Sequence, residues 1–354
     1  MDELYYDSVD LLRRMIEIKS VSRDEADEAD MIWNVMTGFG LDVKRSGNNL
    51  WCISPDFDPK KKTLLLNSHI DTVKPCAEWT RDPFKPEITE DGRLYGLGSN
   101  DAGASVVSLL AAFRYLASSE QRCNFIFLAS CEEEVSGKQG IESVLPMLPN
   151  IDAAIVGEPT QMQPAVAEKG LMVLDGVVYG VAGHAARNEG VNAIYKAMNV
   201  IERLRNVSFE CTSKLLGPIK VSVTQINAGT QHNVVPDRCD IVVDVRSTDA
   251  YSNIETLEII RKAAGDECTL TPRSTRLNPS GISVEHPLVR RLVTLGKEPF
   301  GSPTLSDQAL MPFPSLKLGP GDSARSHTAD EYILLDEIRD AVQTYVTLLN
   351  GISL

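Results

Sequence analysis

The stretch "LLLNSHIDTV", residues 64–73, decides the fold. Its three leucines have the continuous apolar character of a strand buried on both faces, and His69 and Asp71 follow where that strand ends. Side chains at positions i and i+2 of an extended segment share a face, so the imidazole and the carboxylate point the same way. Ligands of open α/β sheets bind at the carboxyl ends of strands. The stretch therefore predicts a parallel sheet with a functional site at that edge.

Short apolar runs alternate with helical stretches on both sides of this strand. Such alternation is typical of an α/β domain whose helices cover both faces of a largely parallel sheet. The further predicted strands are "LWCIS" (50–54), "NFIFLAS" (124–130), "AAIVGE" (153–158) and "PSLKLG" (314–319). The predicted helices between and after them are "ASVVSLLAAFRYLA" (104–117), "GIESVLPML" (140–148) and "ILLDEIRDAVQTYVTLL" (333–349).

The pattern changes in the middle of the chain, where the predicted order is strand, helix, strand, strand, helix, strand. This order is typical of a ferredoxin-like α+β unit with one antiparallel sheet. We therefore predict two domains. The first is an α/β metal-binding domain with a mostly parallel sheet, made of residues 1–172 and 283–354. The second is an α+β domain inserted into it, made of residues 173–282.

Composition excludes several classes of partner. The 354 residues include 35 Lys and Arg against 49 Asp and Glu, a net charge of −14, which argues against nucleic acid or an anionic membrane as the main partner. No apolar run approaches the roughly 20 residues that span a bilayer, and the acidic start lacks the pattern of a secretory signal. The seven cysteines are scattered, as reduced thiols usually are. We expect a soluble cytoplasmic protein that acts on a small molecule.

Imidazole and carboxylate side chains follow several of the predicted strands, and a parallel sheet brings such strand ends together. Histidine and carboxylate ligands without cysteine suit Zn²⁺, Co²⁺ or Mn²⁺. Five ligands exceed the needs of one tetrahedral ion. If Asp101 bridges two ions, each ion keeps one histidine and one glutamate, as in a two-metal hydrolase. The candidate ligands are His69, Asp101, one of the glutamates at 132–134, Glu158 and His327.

Two neighbours of these ligands have predicted roles of their own. Asp71 can accept the second ring N–H of a ligating His69 and so fix its tautomer. Among the three consecutive glutamates at 132–134, one can bind metal while its neighbour serves as general base for a bound water.

Eight motifs in a fixed order make the chain resemble the M20 family of metallopeptidases and deacylases, and within it the acetylornithine deacetylase and succinyl-diaminopimelate desuccinylase branch. The resemblance implies a zinc-exopeptidase-like catalytic domain and an inserted lid and dimerisation domain. The motifs are "SHIDTV", "YGLGSNDAGAS", "CEEEVSGKQGI", "VGEPT", "EKGLM", "GVAGHAARNEGVNAI", "NVVPDRCDIVVDVR" and "GPGDSARSHTADEY".

The resemblance also implies a role for each site residue. Three glutamates stand where the family usually has Asp-Glu-Glu, and aligning Glu132 with that aspartate keeps Gly140 at its family distance from Glu134. The implied roles are His69 and Glu158 on one ion, Glu134 and His327 on the other, Asp101 bridging, Asp71 orienting and Glu133 as general base.

The inserted domain contributes further implied residues. His184 would reach across a dimer and stabilise the oxyanion of the tetrahedral intermediate. Asn233 and Arg246 match positions that contact substrate, and Arg246 suits a carboxylate because its guanidinium can bind both oxygens. A strand-end salt bridge is the alternative for Arg246. The sequence "HAARNEG" after the histidine lacks the proline that family members often have there.

These inferences predict a homodimeric amidohydrolase with two divalent ions, Zn²⁺ or alternatively Co²⁺, that releases the amino acid from an N-acyl amino acid. N-acetylornithine, in arginine biosynthesis, is the expected substrate. Succinylornithine, succinyl-diaminopimelate, acetylcitrulline and a dipeptide are alternatives, and Lys169 and Arg325 could bind the extra carboxylate of a succinyl group. The non-enzyme alternative, an inactive amino-acid-binding homologue, is disfavoured because all five ligands and the base are present.

Overall fold

The structure, a computed structural model, describes residues 1–187 and 189–354. The chain divides into two compact units. The first consists of Met1–Val166, Gly281–Phe300 and Ser306–Leu354, and the second of Ala167–Ser280 and Gly301–Leu305. The boundaries expected from sequence, 172/173 and 282/283, fall a few residues later in the chain. The sequence pattern did not predict that the short segment Gly301–Leu305 also belongs to the second unit.

The elements are numbered along the chain. The strands are β1 Lys44–Ser46, β2 Asn49–Ile53, β3 Thr63–His69, β4 Glu87–Ile88, β5 Arg93–Tyr95, β6 Asn124–Ser130, β7 Ala153–Val156, β8 Ala165–Glu168, β9 Gly170–Tyr179, β10 Gly183–His184, β11 Lys220–Ala228, β12 Val234–Val235, β13 Arg238–Ser247, β14 Cys268–Pro272, β15 Ser280–Gly281, β16 Phe300–Ser302, β17 Ser315–Lys317 and β18 Tyr332–Leu334. The helices are α1 Asp2–Ile16, α2 Ala26–Gly38, α3 Ala104–Ala117, α4 Ile141–Val144, α5 Ala193–Arg205, α6 Asn253–Ala264, α7 Pro287–Thr294 and α8 Leu335–Leu349.

The main sheet of the first unit has the strand order β1-β2-β6-β3-β7-β17-β8. Its four central strands, β6, β3, β7 and β17, run parallel to one another. The next two strands of this sheet in chain order, β6 and β7, lie on opposite sides of β3. The strand order therefore reverses at β3, and in open α/β sheets ligands bind at the carboxyl ends of the strands at such a point, where His69 lies.

Alternate leucines of β3 pack against opposite layers, which explains the uninterrupted apolar run. Leu64 and Leu66 belong to the core formed with α1, α2, α3 and α8, whereas Leu65 belongs to a second core that includes Ile141 and Val144 of α4. All three leucines are fully buried, and each such burial contributes about 1.5–3 kcal/mol. The predicted α/β class, with helices on both faces of a mostly parallel sheet, is confirmed.

Two helix predictions were too long. The segment 140–148 forms only the short α4, followed by a 3₁₀ turn over Leu145–Met147, because Pro146 cannot continue the ladder of α-helical hydrogen bonds. The last helix begins at Leu335 rather than at residue 333, because Tyr332–Leu334 pair with β5 in a small sheet of order β18-β5-β4.

The second unit contains an antiparallel sheet of order β11-β13-β9-β14. The chain order β9, α5, β11, β13, α6, β14 together with this strand order gives the predicted ferredoxin-like arrangement. Met172 and Leu174 of β9 pack with Ala197 and Val200 of α5 in the core of this unit. In the part of the chain that the structure describes, no helix has the length and apolar character needed to cross a membrane.

Candidate metal centre

The five predicted ligand residues lie together, in two groups that share Asp101. Nε2 of His69 lies 3.3 Å from Oδ1 of Asp101 and 3.8 Å from Oε1 of Glu158. Nε2 of His327 lies 3.6 Å from Oδ2 of Asp101 and 3.0 Å from a carboxylate oxygen of Glu134. Asp101 therefore presents one oxygen to each imidazole, as a carboxylate shared between two ions must.

The protonation of the His69 ring follows from its hydrogen bond. Nδ1 lies 2.9 Å from the main-chain carbonyl oxygen of Asp71. A carbonyl oxygen only accepts hydrogen bonds, so Nδ1 carries a proton. Nε2 faces Asp101 and Glu158, and its lone pair is free for a metal ion whenever this nitrogen carries no proton. The Asp71 carboxylate is farther from this nitrogen, with Oδ1 at 3.6 Å. The main chain of Asp71, more than its side chain, thus orients the ring.

The donor set fits divalent metal ions. Ligand atoms at the usual bond lengths of roughly 2.1 Å around a tetrahedral zinc lie about 3.4 Å from one another. The distances of 3.0–3.8 Å within the two groups bracket that value. Oε1 of Glu158 is buried and has no hydrogen-bond partner in the described residues, so an ion would satisfy an oxygen that otherwise has none.

The cluster holds more buried carboxyl groups than its positive charges balance. Burial raises the pKa of Glu158 to about 8, and the charge of Asp101 adds to this increase. Burial also raises the pKa of Glu133 well above its usual range, with further increases from Glu158, Asp307 and Glu134 against a decrease from His69. Bound cations would supply the missing charge and allow these groups to ionise.

The two imidazoles respond to the same surplus of negative charge. Burial lowers the pKa of His69, but the nearby carboxylates of Asp101 and Asp71 outweigh that effect and bring the pKa well above the ordinary value. The hydrogen bond to Glu134 is the main cause that raises the pKa of His327 to about 9. The surrounding carboxylates therefore favour a positive charge at each ring, which either a bound proton or a bound metal ion would supply.

The three consecutive glutamates point in different directions. Glu134 contacts His327, as described above. The Glu132 side chain lies over Gly137, and its Oε2 accepts a hydrogen bond from the main-chain N–H of Gln139 at 3.3 Å. Glu133 is partly buried, and the charges of His69 and Glu158 act on its carboxyl group. These charges are those of candidate ligands, which is consistent with the predicted role of Glu133 as base.

The Asp71 carboxylate holds the main chain of this turn. Its Oδ1 accepts from the N–H of Glu133 at 2.9 Å, and its Oδ2 accepts from the N–H of Glu134 at 3.1 Å. The hydroxyl of Ser22 donates to Oδ2 at 2.7 Å. Burial raises the pKa of Asp71, but His69 and these donors lower it below its usual value.

Glu331 and Asn100 hold the loop of Asp101, and sequence reasoning missed both. The buried Glu331 carboxylate accepts hydrogen bonds from the main-chain N–H groups of Gly98, Asn100 and Asp101 at 3.1, 2.8 and 2.9 Å. The Asn100 amide donates to the carbonyl oxygen of Asp322 at 3.1 Å, just before the loop of His327. Glu331 lies inside the motif "GPGDSARSHTADEY", and this position could have marked it as a candidate site residue.

Asp307 is a further buried acid that sequence reasoning missed. Its Oδ2 accepts from the hydroxyl of Ser130 at 2.7 Å and from the amide of Asn67 at 2.9 Å. These two residues lie at the carboxyl ends of β6 and β3. Burial raises the pKa of Asp307 to about 6 although both hydrogen bonds lower it. No sequence motif marked this residue.

The predicted substrate contacts are engaged within their own units. The Arg325 guanidinium forms two hydrogen bonds to Glu337, at 2.7 and 3.1 Å, and stacks on Tyr332. Arg246 forms a salt bridge to Asp244 at 3.0 Å, which is the alternative that the sequence left open. Lys169 donates to the carbonyl oxygen of Pro218 at 3.4 Å.

His184 and Asn233 lie on neighbouring strands of the second unit. His184 of β10 pairs with Val234 of β12, and the N–H of Ala185 donates to the carbonyl oxygen of Asn233 at 3.0 Å. The N–H of Ala186 donates to Nδ1 of His184 at 3.1 Å, so the proton of the neutral ring resides on Nε2. Both His184 and Asn233 are exposed. The exposed ring therefore offers an N–H donor.

Comparison with known proteins gives consistent matches. The sequence model of peptidase family M20/M25/M40 matches residues 65–351. An acetylornithine deacetylase from Pectobacterium carotovorum subsp. carotovorum (strain PC1) is 30% identical over 298 residues, which cover 77% of this chain and 76% of that protein. A succinyl-diaminopimelate desuccinylase from Wolbachia pipientis subsp. Culex pipiens (strain wPip) is 26% identical over 289 residues, which cover 77% and 71%.

Among solved structures, a dinuclear metal-binding peptidase of the M20 family from Bacillus subtilis superposes with a TM-score of 0.75. It is 16% identical in sequence, and the match covers 99% of this chain and 98% of that one. At this level of identity the match establishes a common fold over the full length of both chains.

Proposed function

The chain belongs to peptidase family M20/M25/M40 and is a metal-dependent amidohydrolase of that family, and we propose that it removes the acetyl group from N-acetylornithine. The observation that carries the hydrolytic part is the pair of candidate ligand groups that share Asp101, whose charges also act on the partly buried Glu133 carboxyl group. The choice of substrate is supported by the 30% identical acetylornithine deacetylase. The reaction would belong to arginine biosynthesis in the cytoplasm.

Two divalent ions, Zn²⁺ first and Co²⁺ as the alternative, would be held by these residues. His69 and Glu158 would hold one, Glu134 and His327 the other, and Asp101 both. The dinuclear site of the Bacillus subtilis peptidase supports this number. When bound, the ions would polarise the amide carbonyl and make water more acidic.

The residues of the chain would then move protons and fix positions. The Glu133 carboxylate would accept a proton from the water that attacks the carbonyl carbon, and would return it to the amide nitrogen as the C–N bond breaks. Desolvation raises the pKa of Glu133 well above its usual range, which makes its carboxylate a stronger proton acceptor and so supports this role. Asp71 would keep the base in place by binding the N–H groups of Glu133 and Glu134.

His184 would stabilise the oxyanion through its Nε2–H, and Asn233 would contact substrate beside it. The hydrogen bond from Ala186 to Nδ1 supports this role, because it leaves Nε2–H as a donor without requiring a charged ring. Arg246 would bind the substrate carboxylate only after rearranging its salt bridge to Asp244.

Homodimerisation through the second unit is supported by its surface. The strand β11 lies at the edge of the sheet and carries Ile226, which is 51% exposed, while α5 presents Tyr195 and Met198 at 69% and 60% exposure. An exposed sheet edge beside large apolar side chains is a surface suited to pairing with a second copy in a two-fold dimer.

The pairing of Arg325 in the first unit favours a neutral acetyl group over a succinyl group, which carries an extra carboxylate. Arg325, one of the two cations suggested for the extra carboxylate, is already bound by Glu337 through two hydrogen bonds. Using Arg325 for substrate would leave the partly buried Glu337 carboxylate without its partner, which costs free energy.

The substrate is tested with metal-depleted protein reloaded with Zn²⁺ or Co²⁺. We expect the highest kcat/KM on N-acetylornithine in a panel that also contains acetylcitrulline, succinylornithine, succinyl-diaminopimelate and dipeptides. Hydrolysis of none of these by the reloaded protein would contradict the proposed function. A higher kcat/KM on a succinylated amino acid would move the proposal to that substrate class.

Action of His184 across the dimer is tested by mixing two inactive variants. His184→Ala should lower kcat by about 10²–10³-fold, as the loss of an oxyanion donor does. Mixed with Glu133→Ala under conditions of subunit exchange, it should recover part of the activity, because heterodimers contain one complete site. Subunit exchange verified by mass spectrometry without any recovery would show that His184 does not act across the dimer.

A further inference from the structure

The turn at residues 132–134 is bound by two carboxylates from distant parts of the chain. Asp71 accepts the N–H groups of Glu133 and Glu134, and Oε1 of Glu25 accepts the N–H of Glu132 at 3.2 Å. Three successive main-chain N–H groups are therefore each bonded to a carboxylate. Glu25 precedes α2, 107 residues away from Glu132 in sequence.

Glu25 is fully buried, and its side chain is bonded on both oxygens. Besides Glu132, Oε1 accepts from the N–H of Arg23 at 2.6 Å, and Oε2 accepts from the amide of Asn48 at 3.1 Å. A buried carboxylate costs free energy unless such donors satisfy it. The three donors belong to different segments of the first unit, so Glu25 ties these segments to the turn.

The turn needs such a restraint because of its backbone conformation. Glu132 has φ of 56°, in the left-handed region that residues with side chains adopt only at a cost. This conformation separates the directions of the glutamates, since Glu132 faces Gln139 while Glu134 faces His327. Any relaxation of Glu132 towards ordinary backbone angles would rotate the residues that follow it.

We propose that Glu25 is a positioning residue for hydrolysis, which fixes the directions of Glu133 and Glu134 by accepting the N–H of Glu132. This inference rests on the proposed function, in which Glu133 moves the proton and Glu134 binds an ion. The hydrogen bonds of Glu25 described above go to Arg23, Asn48 and Glu132, none of which is among the proposed metal ligands. Its contribution is that of a hydrogen-bond acceptor, for which a neutral amide oxygen is a partial substitute.

The kinetic test compares two substitutions at this position. Glu25→Ala should lower kcat by about 10²-fold, the size of effect expected for a small displacement of a catalytic group, with KM little changed. Glu25→Gln should recover most of kcat, because its amide oxygen can accept the same N–H groups and Asn48 can turn its own amide to match. Asp27→Ala is the matched control, since Asp27 is an exposed carboxylate in the first turn of α2.

Hydrogen–deuterium exchange followed by mass spectrometry gives a readout that needs no substrate. Peptides covering residues 131–136 should exchange faster in Glu25→Ala than in the unchanged protein, and at nearly the unchanged rate in Glu25→Gln and Asp27→Ala. Peptides from the second unit serve as an internal check that the fold is intact.

Each outcome decides the inference. Unchanged kcat in Glu25→Ala, or kcat as low in Glu25→Gln as in Glu25→Ala, would overturn it, because the acceptor would then be irrelevant or the charge would be the cause. Unchanged exchange at residues 131–136 in Glu25→Ala would overturn it whether or not a substrate is known. If the unchanged protein hydrolyses nothing in the panel, the proposed function fails, and the exchange measurement alone decides whether Glu25 restrains the turn.

Discussion

The candidate metal centre has two halves, one with His69 and Glu158 and the other with Glu134 and His327, and they are built differently. His69 lies at the end of the central strand β3, its side chain is 1% exposed, and its ring is fixed by a main-chain carbonyl. His327 lies in a loop with φ of 59°, and its side chain is 54% exposed. The first half is thus formed by regular structure, whereas the second depends on loops held by long-range hydrogen bonds. We expect the two halves to hold their ions with different strength.

The largest expected effect is that of removing Asp101, the residue that the halves share. Asp101→Ala should weaken the binding of both ions, because each imidazole loses its neighbouring carboxylate oxygen, and activity should fall below detection. Elemental analysis and turnover measure this. Glu90→Ala, an exposed acid of the same unit, is the control. An Asp101→Ala protein that retains two tightly bound ions would show that the halves do not share this ligand.

Loss of the base should affect neither half. Glu133→Gln should retain both ions and lose about 10²–10⁴-fold in kcat, the range expected for general acid–base catalysis. Glu132→Gln is the matched control and should change kcat least, because its side chain faces Gln139. If Glu132→Gln is instead the metal-replete inactive protein and Glu133→Gln loses an ion, the assignment of the three glutamates is shifted by one residue.

The smallest expected effect is a difference between the two halves in how fast each loses its ion to a chelator. During chelation the ion on the His327 side should leave first, because water and chelator reach that half more easily. Metal content followed over time should fall in two phases. Glu134→Gln should remove only the first phase and leave one ion bound. Loss of both ions in a single phase from the unchanged protein would show that the difference in exposure has no consequence for binding.

The elements that could be predicted were those with a strong local pattern. The bounds of β6 and α3 agree with the predicted segments, because a continuous apolar run or helical periodicity extends over their whole length. The candidate ligands could be selected from the sequence because each follows such an element or lies in a recognisable motif. The short β18 could not, since three residues carry no periodicity and are defined by pairing with β5.

The supporting acids could not be predicted for a different reason. Glu25, Asp307 and Glu331 bond to partners that are 107, 177 and 231 residues away in the chain. A single acidic residue has no local signature of burial, and only the folded chain brings the donors to it. Arg325 shows the opposite error. Its charge suggested a contact with substrate, but its guanidinium forms an ion pair with Glu337.

The place of β17 in the main sheet has a consequence for how the protein is made. This strand lies between β7 and β8, although it is synthesised about 150 residues after them, and His327 and Glu331 emerge from the ribosome later still. Chains fold from their N-terminal part as they are synthesised. The second unit, complete by then, can fold while the first still lacks a central strand. The nascent chain therefore acquires the complete set of candidate metal ligands only after the whole second unit has been synthesised.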